Sequence, residues 1–293
     1  MTTKMPQPRS GEAPLRGKAM FDDILCAVDG TQEALAAIEQ AAALAGPNGH
    51  MTLLEVTSFE VEGSHRGPEI VPAEATRIIH RAAHTAEKSG VSFTEEVDPE
   101  TPPSQVVLHW ASERDLLALG APSTGWLGGM LRGGVAVTAE GSFTTPLLVA
   151  RSLSTSEQFA RRILIASDGL PGSDALVAFA GDLARDQGAD VVLLHAIGLE
   201  SKARRRRVEE QASSLQLAVG GASEVRLEKG SARSMIVETA SAVDASLIVM
   251  SSRRLRGPRL IGSVSRRVVH EGHCSVLLVP PERLQAFAAP PDG

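Results

Sequence analysis

Short, nearly uninterrupted apolar runs alternate along the chain with longer stretches whose apolar residues recur at helical spacing. The runs fall at residues 23–29, 51–57, 91–97, 116–120 and 146–150, and again at 162–168, 190–197, 224–228, 246–251 and 275–280. Between them, residues 33–45, 73–89, 104–112, 173–187, 209–219 and 234–242 carry the helical period. Strands that are apolar on both sides suit a parallel sheet covered by helices on each face. The pattern predicts an α/β chain with open, doubly wound, five-stranded parallel sheets. Ligands of such sheets bind beyond the strand carboxyl ends, where the strand order switches.

The pattern occurs twice. Phe21-Asp-Asp-Ile-Leu-Cys-Ala-Val-Asp29-Gly30 matches Arg161-Arg-Ile-Leu-Ile-Ala-Ser-Asp168-Gly169, 139 residues on. Leu116-Leu-Ala-Leu-Gly120 matches Leu247-Ile-Val-Met-Ser251, and Pro146-Leu-Leu-Val-Ala-Arg151 matches Ser275-Val-Leu-Leu-Val-Pro280. The second match lies only 131 residues on, so the first copy carries extra residues, around 63–72. The expected organisation is a tail over 1–20, a first domain over 21–151, and a polar linker over 152–160. A second domain over 161–283 and a C-terminal tail over 284–293 complete it. The apolar last strands of the copies predict that the two domains pack on each other.

Composition narrows the function classes. Of 293 residues, 43% are hydrophobic and 22% charged, a globular balance. No apolar run reaches the roughly 18 residues of a membrane span, and the first 20 residues lack an apolar signal core. Two cysteines, Cys26 and Cys274, make no disulfide framework, so a cytoplasmic protein is expected, with no membrane partner. The net charge of -6 is unevenly spread. Residues 21–151 hold 7 Lys and Arg against 18 Asp and Glu, while residues 161–283 hold 18 against 14. With 3% aromatics and no tyrosine, stacking platforms for nucleic acid are scarce, and nucleic acid is not an expected partner.

Asp29-Gly30 and Asp168-Gly169 end their first strands. An Asp-Gly there serves either as a turn and helix cap or as a ligand-facing carboxylate at the crevice. After the fourth strand comes Gly120-Ala-Pro-Ser123-Thr-Gly125-Trp-Leu-Gly128-Gly129-Met-Leu-Arg-Gly133-Gly134. Such a turn lets backbone approach an anion closely, and the next helix start offers N–H donors.

On these residues the chain resembles a tandem universal stress protein, over about 21–151 and 161–280. The resemblance implies a Rossmann-like five-stranded parallel sheet, of the adenine-nucleotide-hydrolase type, in each copy. Nucleotide-binding members of that family carry an Asp at the end of strand one and Gly-x2-Gly-x9-Gly-[Ser/Thr] after strand four. In copy one these positions are Asp29, Gly120, Ser123, Gly133 and Gly134; Ser123 replaces a glycine and Gly134 the hydroxyl residue. In copy two they are Asp168, Ser251, Arg254, Gly262 and Ser263; the run is two residues shorter and both leading glycines are gone. Ser265 follows in the retained helix start. The resemblance extends the candidate binding set to Ala27, Val28 and Val56 at the first and second strand ends. It implies ATP or another adenine nucleotide, favoured in the first domain, and pairing through the last strands, hence a possible homodimer.

Other clusters keep two readings each. Arg253, Arg254, Arg256 and Arg259 either hold an anion beside Ser263 or fill the pocket left by the lost glycines. Lys202-Ala-Arg-Arg-Arg-Arg207 reads as a solvated helix face before a nucleic-acid patch. The two cysteines read as buried fillers, and His270, His273 and Cys274 lack a second ligand pair for a metal. Trp126 either covers a ligand or meets a partner surface. No phosphate-binding lysine loop, nucleophile elbow or paired acid and base is present, so no catalytic residue is nominated. Three functions stay open: a stress-response binding protein sensing adenine nucleotide, a nucleotide-free interaction module, and an enzyme cleaving a nucleotide phosphate.

Overall fold

The computed structural model describes residues 20–56, 72–98, 103–121, 144–152, 158–197, 202–219, 223–252 and 263–288. The first half runs β1 (Phe21–Val28), α1 (Gln32–Leu44), β2 (Ala45–Val56), α2 (Pro72–Ser89), β3 (Ser92–Asp98), α3 (Pro103–Ala111), β4 (Leu116–Gly120) and β5 (Leu147–Ala150). The second half runs β6 (Arg162–Ser167), α4 (Ser173–Gln187), β7 (Asp190–Ile197), α5 (Lys202–Val219), β8 (Ser223–Lys229), α6 (Ala232–Ala242), β9 (Leu247–Ser251), α7 (Ser263–Glu271) and β10 (Ser275–Val279), and α8 (Pro281–Ala288) follows.

The strands lie in one sheet of ten, ordered β3-β2-β1-β4-β5-β10-β9-β6-β7-β8. Each half is a five-stranded parallel unit, as the apolar runs predict. They meet where β5 and β10 pair antiparallel, with Val149 opposite Val276 and Leu147 opposite Leu278. Each strand thereby satisfies the other's open edge. Side chains of the two strand faces feed two apolar cores. One lies with α1, α2, α4 and α5 and holds Ile24, Cys26, Leu53 and Ile165; the other lies with α3, α6 and α7 and holds Leu25, Leu54, Leu117 and Ile248. In the first half the order switches between β1 and β4, and in the second between β6 and β9. At such switch points an open parallel sheet forms its crevice, at the strand carboxyl ends.

Two elements differ from the sequence reading. β2 starts at Ala45 and not near 51, because the Gly46–Gly49 stretch is absorbed as an irregularity: Phe21 pairs with Ala45, but Asp23 pairs with His50. The expected tail over 284–293 begins with helix, since α8 continues to Ala288. Pro281 suits a first helical position, where its missing N–H costs nothing. Leu284 is buried, and the Phe287 ring packs edge-on against Phe179 at 5.4 Å. Those contacts supply the burial that a tail would lack.

Candidate functional site

The first crevice is built at the ends of β1 and β4. These strands pair in parallel with Cys26 opposite Ala118, so Asp29 and Gly120 finish at the same sheet edge. Asp29 Oδ1 accepts from the Thr31 amide at 3.1 Å and from its hydroxyl at 2.6 Å. Thr31, not Asp29, is the N-cap of α1, its Oγ1 accepting from the Ala34 amide. The turn reading and the ligand reading of Asp29 therefore coexist: one oxygen holds the turn. Among the described residues no other hydrogen bond reaches that carboxylate.

Gly30 adopts a φ of +76°, which a residue with a side chain would resist. Gly120 is required by packing. A Cβ there would lie 2.7 Å from the Ala34 nitrogen and 2.8 Å from the Glu33 carbonyl carbon. The start of α1 thus sits directly over the end of β4. Ala27 and Val56 are buried on the α3 side, and Val28 is buried on the α1 side. All three stand at the carboxyl ends of β1 and β2. Ser123, Gly133, Gly134 and Trp126 lie outside the described residues.

Sequence reasoning missed Glu55. It stands opposite Val28 in the β1–β2 ladder and is only 1% exposed, with no partner for Oε2. Burial, then the nearby Asp29 and Glu74 carboxylates, push its carboxyl up to about 8. A signal existed, because a lone Glu interrupts the apolar run Leu53-Leu54-Glu55-Val56 next to a candidate strand end.

The second crevice is furnished differently. Asp168 Oδ1 accepts from the Leu170 amide at 3.0 Å, the counterpart of the Asp29 turn, and Gly169 has a φ of +66°. His195 occupies the ladder position of Glu55, opposite Ser167, with Nδ1 2.9 Å from the Ser167 carbonyl oxygen. Below it, Ser167 Oγ donates to Gln211 Oε1 at 2.7 Å, and Gln211 Nε2 donates to Ser173 Oγ at 2.9 Å and to Asp174 Oδ1 at 2.6 Å. Buried polar atoms here are tied to one another. Ser263 opens α7 and its Oγ lies 3.2 Å from Arg233 Nη2, whereas Ser265 is buried. Gly262, Arg253, Arg254, Arg256 and Arg259 lie outside the described residues.

Burial pushes both the Cys26 and Cys274 thiols up to about 12, which keeps them protonated and unreactive. Among the described residues no group of three or more His, Cys, Asp or Glu side chains is placed to hold a metal ion. No helix among them is long and apolar enough to cross a membrane.

The universal stress protein family model matches residues 20–151 and again 160–280. The chain belongs to the universal stress protein family. A universal stress protein from Archaeoglobus fulgidus DSM 4304 superposes with a TM-score of 0.69 at 17% identity, covering 88% of this chain and 95% of that one. A functionally unknown protein from Pseudomonas aeruginosa PAO1 gives 0.62 at 18% identity over 92% of this chain and 97% of its own. The cytoplasmic domain of a prokaryotic cation chloride cotransporter gives 0.58 at 11% identity, over 92% and 99%. At these identities the structures show the shared fold alone. A search of the curated proteins found no match. In this universal stress protein the two family repeats coincide with the two five-stranded halves, each with its own crevice.

Proposed function

We propose that this universal stress protein is a stress-response binding protein that takes an adenine nucleotide in its first crevice. The observation that carries this reading is the arrangement at the β1 end. Asp29 is held through one oxygen by Thr31, beside a Gly120 that lets the start of α1 close directly over the end of β4. A carboxylate fixed in this way accepts hydrogen bonds from ligand hydroxyl or amino groups without first being immobilised. The apolar strand ends at Ala27, Val28 and Val56 suit a neighbouring base, and the glycine-rich sequence after Gly120 suits phosphates through its backbone N–H groups. The second crevice serves this function less well. Its leading glycines are replaced, and Ser251 stands at the position of Gly120.

Two further expectations belong to the same proposal: the chain acts by binding and not by catalysis, and its two halves work as one unit. The test is mass spectrometry of small molecules released by denaturing the full chain after equilibration with ATP and removal of the excess. Close to one adenine nucleotide per chain is expected. None released, with protein still able to capture a partner, would favour a nucleotide-free interaction module.

A further inference from the structure

Behind the Asp29 turn lies one buried group that the nucleotide reading leaves unused. Glu55 lies one ladder position below Asp29, is 1% exposed, and has an oxygen with no hydrogen-bond partner. In the second half the same position holds His195, which is bonded to the Ser167 carbonyl oxygen. The two halves thus differ at one titratable position directly behind the Asp-Gly turn that both carry.

The charges around Glu55 come from two elements. The turn after β1 supplies Asp29, and α2 supplies Glu74 from its first turn. The α2 arginines are engaged elsewhere: Arg81 donates to the Gly30 carbonyl oxygen and to Gln32 Oε1, and Arg77 donates back to the Ala73 carbonyl oxygen. From β3 the ladder partner is Val97, which is apolar. Glu33 of α1 lies against Gly120. An unpaired anion in this position is costly, so the carboxyl is held as a neutral acid at neutral pH.

We propose that Glu55 is a proton gate for the first crevice, admitting an anionic nucleotide beside Asp29 as the neutral acid and excluding it as the carboxylate. The inference rests on the nucleotide reading above and adds its regulation. A third negative charge next to Asp29 and Glu74 would add to the negative field that a polyanionic nucleotide has to enter. Binding must therefore hold Glu55 protonated and take up a proton wherever the free protein has lost it. The raised titration of this carboxyl, up to about 8, places that window just above neutrality.

The experiment is calorimetry of ATP binding to the full chain at pH 7.5 and pH 9, both above the range near 6 in which phosphate oxygens titrate. Wild type should bind about tenfold more weakly at pH 9, as one proton must be recovered per ATP bound. Glu55→Gln, which keeps the shape and removes the charge, should bind equally well at both values. Repeating the wild-type titration at pH 9 in buffers of different ionisation enthalpy counts the proton directly and needs no variant. Net uptake of a proton supports the gate. ATP binding without proton uptake, or with the same pH dependence in both proteins, overturns the gate and leaves the nucleotide reading standing. No ATP binding at either pH overturns both.

Discussion

At the scale of single residues, Glu55 and Gly120 carry the most physical information about the crevice. The folded-state titration of Glu55, about 8, lies above its ordinary value of 4.5. The folded protein therefore holds this proton more tightly than the unfolded chain does. The resulting stabilisation is complete below the ordinary value and is lost as pH rises through the folded one. Urea unfolding followed by circular dichroism should show wild type losing a few kcal/mol between pH 5 and 9. Glu55→Gln should lose distinctly less over the same range. Gly120→Ala should cost about 1–3 kcal/mol, because its Cβ would press on the backbone of α1 and not on a side chain that can move. Equal urea midpoints for that variant and wild type would show that α1 yields easily. The Asp29 turn is legible in the sequence because a strand end and Asp-Gly coincide. Glu55 was hidden, since its meaning depends on burial and on which strand lies beside β2.

At the scale of elements, α8 shows where local pattern fails. Its eight residues are too few to display a period, and its one fully buried side chain is Leu284. What makes it a helix is tertiary: Phe287 on Phe179, and Arg283 reaching across to Asp115 Oδ1 at 2.9 Å and the Met20 carbonyl oxygen at 3.2 Å. Leu284→Ala should cost about 2–3 kcal/mol. Arg283→Ala should cost only about 1 kcal/mol, because both partners of that ion pair remain roughly one-third exposed. Chemical denaturation of both variants checks the ranking, and the reverse order would show that the ion pair dominates. The long strands and helices were legible because their burial is periodic. β2 was misplaced at its start because Gly-Pro-Asn-Gly reads as a turn, whereas here it forms the irregular beginning of a strand paired to β1.

At the scale of the whole molecule, the duplication is readable from the sequence alone, but the manner of joining is a property of edges. β5 and β10 are short, apolar and buried, and their antiparallel pairing turns two open sheets into one. A polar tie reinforces the seam. Gln40 Nε2 donates to the Arg151 carbonyl oxygen at 2.8 Å, Ser275 Oγ donates to Gln40 Oε1 at 2.7 Å, and the Arg151 amide donates to Ser275 Oγ at 3.0 Å. Gln40→Leu would take the acceptor from the Ser275 hydroxyl proton and the donor from the Arg151 carbonyl oxygen and should cost about 1–3 kcal/mol. Thermal unfolding should then show the two halves beginning to separate into distinct transitions. A single transition at the wild-type temperature would mean the seam does not depend on this tie.

The two crevices of this one sheet are related by sequence but not by furnishing, and the account holds that the first alone takes adenine nucleotide. Calorimetry of ATP binding to the full chain at neutral pH, in wild type, Asp29→Ala and Asp168→Ala, tests this most directly. The account predicts one site per chain, abolished or weakened at least tenfold by Asp29→Ala and unchanged by Asp168→Ala. Two equivalent sites, or a single site lost with Asp168→Ala and kept with Asp29→Ala, would contradict it.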